Sequence, residues 1–368
     1  MAYSEAAAIP REKLPAGIPT QMSGIKKLKS EPGLDWVDGI ATPLIGPTDV
    51  LIKVTHAGIC GTDRHIYEWD PWAASRVKTG VTCGHEFVGR IVAIGSACRH
   101  RKVGERVSAE GHISCGQCPA CRQGDAHICH FVDILGIDCD GCFAEYVAVP
   151  EYNAWPVPEA IPDKVAAIFD PLGNAMHTVM AAGVSGKNVL VTGAGIIGLM
   201  AVSIAKHAGA GSILVTDLDE RRLKIARDLG ADETFLASDS DWVQRARRAT
   251  RGHGVDVLLE MSGSGKAISD GFDALRNGGT AALLGLPARP VSLDLPNQVI
   301  FKGATILGIN GRRMFETWYQ VERFLLKDRI HLDQILTHVI PWRNYHDGFK
   351  LMQSGDGIKI VLDMGAGK

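Results

Sequence analysis

Val189-Leu190-Val191-Thr192 leads directly into Gly193-Ala194-Gly195-Ile196-Ile197-Gly198, and the chain then stays apolar through Leu199, Met200, Ala201 and Val202. A β-branched run, a glycine turn and an apolar helix in that order are the context in which a G-x-G-x-x-G pattern binds a dinucleotide. Gly193 would permit the tight turn, Gly195 would let the backbone approach a pyrophosphate, and Gly198 would let helix and strand pack closely. The helix N-terminus would then face the phosphates. A glycine-rich turn can also do no more than pack a strand on a helix, so the flanking pattern must decide.

That pattern alternates from Lys187 onward. Strands are expected at Val189–Thr192, Ile213–Thr216, Glu233–Leu236, Val255–Leu259, Thr280–Leu284 and Thr305–Ile309, with helices between them. This makes the fold class α/β, with a doubly wound parallel sheet. The second strand ends at Asp217, nineteen residues past Gly198. A carboxylate there can accept hydrogen bonds from both ribose hydroxyls and repel a 2′-phosphate, which favours NAD over NADP. Arg221 and Arg222 oppose that preference, since a nearby arginine can accommodate a 2′-phosphate.

The earlier part of the chain has a different period. Residues 1–22 read as an extension with no periodicity, mobile or loosely docked. From Ser23 to about Val157 short β-rich pieces are broken by glycine, such as Val50–His56, Phe87–Ile94, Arg106–Ser108 and Ala144–Val149. An all-β, barrel-like unit follows from that spacing. Helical character begins between Asp163 and Thr178, and after Gly311 helices at Met314–Lys327 and Tyr345–Ser354 precede a last strand at Ile358–Leu362. The domains expected are therefore 23–165 with 316–368 for the barrel, and 166–315 for the dinucleotide fold.

With 368 residues the chain can bury a sizeable core without covalent staples. A net charge of −2 offers no basic footprint, so nucleic acid is not an expected partner. The first twenty residues lack the apolar core of a signal peptide, and the uncharged run Asn188–Ala205 is better explained by strand, turn and helix than by a membrane span. A cytoplasmic location is expected. In that reducing compartment the nine cysteines need another explanation than disulfides.

Cys115, Cys118, Cys121 and Cys129 supply four thiolates within fifteen residues, in a lobe spanning 110–130. Four thiolates close a tetrahedral shell, which reads as structural zinc. The iron–sulfur alternative fits less well, because seven residues separate Cys121 from Cys129 and His130 follows where a ferredoxin run has proline. Cys60, His85 and Glu86 are sulfur, nitrogen and oxygen ligands that would leave a zinc position open, yet twenty-four residues between Cys60 and His85 fit no short motif. Cys83, Cys98, Cys139 and Cys142 read as packing residues.

Taken together and in this order, Cys60-Gly61-Thr62-Asp63-Arg64-His65, Gly84-His85-Glu86, the four-cysteine lobe and the glycine turn resemble the zinc-dependent medium-chain dehydrogenases. The match is closest to the L-threonine 3-dehydrogenase family, through Glu110-Gly111-His112, Phe169-Asp170-Pro171-Leu172-Gly173-Asn174 and above all Gly311-Arg312-Arg313-Met314-Phe315-Glu316. The resemblance implies a GroES-like β-barrel catalytic domain joined to a Rossmann domain. It implies two zinc ions per subunit, with catalytic zinc on Cys60, His85 and Glu86. Thr62 and His65 fall on the proton relay, Asp170 on an acidic position beside the metal, and His112 on a residue that shapes the pocket. For NAD the implied positions are Gly193, Gly195, Ile197, Gly198, Asp217, Arg222, Leu284, Gly285, Leu286, Ile309 and Asn310.

The activity implied is oxidation of the C3 hydroxyl of L-threonine with NAD to L-2-amino-3-oxobutanoate. A homotetramer and a functional link to a 2-amino-3-oxobutanoate CoA ligase come with it, and no membrane. Asp170-Pro171 stands where polyol dehydrogenases carry Glu-Pro, which favours threonine over sugar alcohols. Asn310 stands where relatives often carry an aromatic residue. Two rivals remain: a polyol or vicinal-diol dehydrogenase on the same scaffold, and a non-catalytic module that uses the cysteine lobe for partner recognition.

Overall fold

The computed structural model describes residues 11–366. The chain divides into two compact units, one running to Asp170 and resuming at Leu336, the other being Pro171–Ile335.

In the first unit the long strand Asp49–Ile59 is the organiser. It pairs antiparallel with Glu86–Ile94, with Tyr146–Pro150 over its first half, and with Lys359–Asp363 over its second. Apart from Tyr146–Pro150, the seven-stranded sheet runs Ala154–Pro156, Arg106–Ala109, Glu86–Ile94, Asp49–Ile59, Lys359–Asp363, Leu336–Pro341. A smaller sheet, Asp35–Ala41, Gln21–Lys27 and Val81–Thr82, packs on the same core. That core includes Ile25, Val50, Ile52, Phe87, Val107 and Phe143, closed by Trp342, Tyr345 and Phe349 from the C-terminal segment. The unit is not all-β: the helix Gly61–Glu68 follows the central strand at once, and Tyr345–Ser354 covers the core.

The described part of the N-terminal extension is tied down rather than mobile. The Glu12 backbone N–H donates to Ile45 O at 2.8 Å, its carboxylate accepts from Ser96 N at 3.1 Å, and Leu14 and Ile18 pack against Met22, Ile45 and Leu51. Ordering is offset here because both apolar side chains are partly withdrawn from water.

The second unit holds a six-stranded parallel sheet in the order Glu233–Leu236, Ser212–Asp217, Asn188–Thr192, Val255–Glu260, Leu275–Leu283, Thr305–Gly308. Numbered by sequence this is 3-2-1-4-5-6, with the reversal between Asn188–Thr192 and Val255–Glu260. Its central strands are apolar on both faces, with Val189, Leu190, Val191, Ile213, Leu214, Val257 and Leu258 all buried, as a sheet covered on both sides requires. The helix Glu316–Leu326, expected with the barrel, also falls in this unit.

Candidate active site and cofactor turn

Antiparallel register brings together the ligand set that sequence spacing could not. Gly58 pairs with Glu86, so Cys60, just past the end of one strand, and His85, just before the start of the other, meet side by side. The Cys60 Sγ lies 3.2 Å from His85 Nε2. A tetrahedral zinc with ordinary bond lengths would set that separation at about 3.6 Å. With Glu86 all three donor atoms lie within 4.8 Å of one another. Gly84 makes the approach feasible: its φ is +88°, and a Cβ there would meet the Phe143 ring at 2.3 Å.

The cation beside this set is a side chain that sequence reading passed over. Lys359, in the last strand, is fully buried; its Nζ lies 2.5 Å from Glu86 Oε2 and donates to Ile59 O at 2.8 Å. Register explains the contact, because Ile360 pairs with Ile59 beside Cys60. Burial pushes the Glu86 carboxyl up, Lys359 opposes that shift, and Asp170 reinforces it. Burial also drives the Cys60 thiol well up, with Asp63 and Glu86 adding to it. A bound dication would reverse this logic by favouring both anions. The available signal for Lys359 was a lone lysine inside the apolar run Ile358-Lys359-Ile360-Val361-Leu362.

Cys60 also caps the helix Gly61–Glu68, with its backbone N–H donating to Asp63 Oδ2 at 2.9 Å. Thr62 and His65, three residues apart, share one face of that helix while Asp63 and Ile66 turn inward. His65 Nδ1 lies 2.6 Å from Asp70 Oδ2, and Asp70 is itself fixed by the Ala73 N–H at 2.9 Å. Asp70 is a second residue absent from the sequence reading. Asp170 sits buried in the first turn of Phe169–Ala182. His112 is half-buried, its N–H donating to Glu110 Oε1 at 3.0 Å and its carbonyl accepting from Asn153 Nδ2 at 2.9 Å.

The four lobe cysteines form a compact sulfur tetrahedron. The recorded Sγ–Sγ distances are 3.4 Å for Cys115–Cys129, 3.5 Å for Cys118–Cys121, 3.9 Å for Cys118–Cys129 and 4.0 Å for Cys115–Cys121. Zinc–sulfur bonds of about 2.3 Å give a tetrahedral edge of about 3.8 Å, so the set fits the ion. Backbone N–H groups of Cys121 and His130 hold the Cys118 thiol down at about 6, whereas burial and then the neighbouring sulfurs push Cys121 up to about 12. Cys83, Cys98 and Cys142 are buried in the barrel unit and Cys139 is half-buried, away from this set.

In the second unit each glycine of the turn has a distinct environment. Gly193 has φ +91°, Gly195 would place a Cβ in open space, and a Cβ on Gly198 would strike Gly193 O at 1.9 Å. Open space at Gly195, the N-cap of the helix Ile196–His207, is the cradle a diphosphate needs. Ile197 is half-buried in the first turn. Asp217 ends its strand with Oδ2 accepting from Ala194 N at 2.7 Å and Oδ1 from Asp219 N at 2.9 Å. Arg221 is drawn onto Asp219 at 2.9 Å, while Arg222 lies half-buried beside it in sequence. Leu284, Gly285 and Leu286 follow the fifth strand, Leu286 being 91% exposed, and Ile309 N donates to Leu283 O at 2.9 Å with Asn310 exposed next to it.

Residues 46–159 match the alcohol dehydrogenase GroES-like domain and residues 197–327 match the zinc-binding dehydrogenase family. The class is thus that of the zinc-dependent medium-chain alcohol dehydrogenases. An Escherichia coli CFT073 alcohol dehydrogenase solved with NADH superposes with a TM-score of 0.86 at 27% identity, covering 94% of this chain and 100% of that one. The 2R,3R-butanediol dehydrogenase of Bacillus subtilis gives 0.83 at 26% identity, covering 93% and 99%. The L-threonine 3-dehydrogenase of Symbiobacterium thermophilum is 48% identical over 344 residues, 93% of this chain and 97% of that enzyme. This chain belongs to the L-threonine 3-dehydrogenase family.

Proposed function

We propose that the chain oxidises the C3 hydroxyl of L-threonine with NAD, giving L-2-amino-3-oxobutanoate and NADH. The observation that carries this is 48% identity over nearly the whole length of an L-threonine 3-dehydrogenase, in a chain whose Cys60, His85 and Glu86 donors converge on one point. Those three residues would hold one zinc, and Cys115, Cys118, Cys121 and Cys129 a second. When bound, the first zinc supplies Lewis acidity toward the substrate hydroxyl, and NAD accepts the hydride.

The chain's own residues do the rest. Thr62 Oγ1 accepts the hydroxyl proton and passes it to His65. Because His65 Nδ1 is engaged by Asp70, Nε2 is the atom that receives it, and the 55% exposed side chain delivers it to solvent. Asp170 adds negative charge beside Glu86. His112, braced by Glu110 and Asn153, shapes the pocket. Gly193, Gly195, Ile197, Gly198, Asp217, Arg222, the 284–286 loop and Ile309 with Asn310 would hold NAD. The Asp217 carboxylate at the end of the second strand supports NAD over NADP, and Arg221 leans toward Asp219.

A homotetramer, a cytoplasmic location and use of the product by a CoA-dependent ligase complete the proposal. Among the described residues no helix is long and apolar enough to cross a membrane. Likeness to a butanediol dehydrogenase makes a vicinal diol the rival substrate. NADH absorbance with L-threonine, sorbitol and 2,3-butanediol separates the readings: L-threonine should exceed both by orders of magnitude, and the opposite ranking overturns the assignment.

A further inference from the structure

Glu260 ends the fourth strand of the parallel sheet, at the reversal of strand order, and is fully buried. Its Oε1 accepts from the backbone N–H groups of Ser262 at 2.9 Å and Gly263 at 3.1 Å, and from the hydroxyls of Ser262 and, at 3.3 Å, Thr192. Its own carbonyl accepts from Leu284 N at 3.0 Å and Gly285 N at 3.1 Å. One residue thereby fastens three loops: the end of the strand entering the glycine turn, the 261–263 turn, and the 284–286 loop.

Those loops touch one another as closely as backbone allows. A Cβ on Gly193 would meet Ser262 at 2.9 Å, one on Gly263 would meet Leu286 O at 2.6 Å, and one on Gly285 would meet Gly263 N at 2.2 Å and Glu260 Oε2 at 2.6 Å. A shift in any of them is transmitted to the others, and Glu260 is the common anchor, its carboxylate holding Thr192 and the 261–263 turn and its carbonyl the 284–286 loop. Its polar partners named above are all N–H and O–H dipoles, an arrangement that strengthens each hydrogen bond by charge assistance and fixes direction.

We propose that Glu260 is a positioning residue for the dinucleotide: it holds the glycine turn and the 284–286 loop in the one relative placement that fits the cofactor. The proposal rests on the reading of this crevice as a nicotinamide-dinucleotide site. Loss of the carboxylate then weakens the cofactor while leaving the barrel unit's substrate chemistry intact.

The test is NADH fluorescence titration of the zinc-loaded enzyme, with no substrate, in wild type, Glu260→Gln and Ser262→Ala. Glu260→Gln keeps the size of the side chain but removes the charge, and should raise the NADH Kd about tenfold or more, while Ser262→Ala removes one donor and should raise it by about threefold. At saturating NAD, kcat and the KM for L-threonine should both stay within about twofold of wild type, a split that general destabilisation does not produce. Ser262→Ala keeps the question open to refutation should Glu260→Gln fail to fold. Unchanged NADH affinity in a folded Glu260→Gln, or affinity lost together with kcat and substrate KM, overturns the proposal. A wild-type enzyme that binds no NADH overturns the site reading as well, and is distinguished by that.

Discussion

Replacing Lys359 with Met should be among the most damaging single changes in the barrel unit. Lys359 and Glu86 side chains are only 1% and 2% exposed, so water cannot take over from the lost partner. Removing one member of such a pair costs about 3–5 kcal/mol, because the other charge stays buried and unpaired. Ile59 O loses its donor in the same step. At about 2–4 °C per kcal/mol for a unit of this size, the melting temperature should fall by roughly 6–20 °C. Glu86→Gln alone leaves the lysine stranded and should also be costly. The double variant, two neutral side chains of similar volume, should recover most of the loss, giving a coupling energy of about 2 kcal/mol or more. Thermal melts of the four proteins in a chelator keep metal affinity out of the cycle. If Lys359→Met costs under about 1 kcal/mol, or the double variant equals the sum of the singles, the pair is not the mutually compensating contact described here.

Three further outcomes follow from other parts of the molecule. Asp217→Ser removes the carboxylate at the end of the second strand and should move the NAD/NADP ratio of kcat/KM toward NADP by about tenfold or more, read from steady-state kinetics. Cys121→Ser breaks the sulfur tetrahedron, so zinc content by mass spectrometry should fall by one ion per chain and the melting temperature should fall with it; full zinc content would falsify the lobe's assignment. Glu151 is pushed up by burial, but the N–H groups of His100, Arg99 and Arg101 outweigh this and hold its pKa below the usual carboxylate value. Its stabilising contribution should therefore be present above about pH 4.3 and disappear as pH falls through the lowered pKa, so wild type and Glu151→Gln should melt apart at neutral pH and together in acid.

Local signals were the ones legible in sequence. Strand, turn and helix at 189–205 sit next to one another, so periodicity and three glycines suffice, and the strand Glu233–Leu236 appears with the bounds expected of it. The lobe cysteines also lie close in sequence, and their spacing alone points to a tetrahedral ion. Cys60 with His85 is different: the contact depends on which residue of Asp49–Ile59 faces Glu86, and register is set by bulges and packing that no local pattern reports. The family resemblance supplied that pair; register explains it. Lys359 and Glu260 escaped because each reads as the odd polar residue of an apolar strand, and its partners lie far away in sequence or in backbone atoms. Leu336–Pro341 alternates too weakly to be read as a strand until Lys359–Asp363 lies beside it.

The pairing of Asp49–Ile59 with Lys359–Asp363 also orders the birth of the molecule on the ribosome. All of Pro171–Ile335 emerges before the last strand is made, so the parallel sheet can fold as a unit while the earlier unit still waits for an edge partner. The cysteine lobe draws on only fifteen neighbouring residues and can close early, but Glu86 meets its buried lysine only when residue 359 has left the exit tunnel. The site begun first is thus the site completed last, since Cys60, His85 and Glu86 are all made long before the strand that carries Lys359.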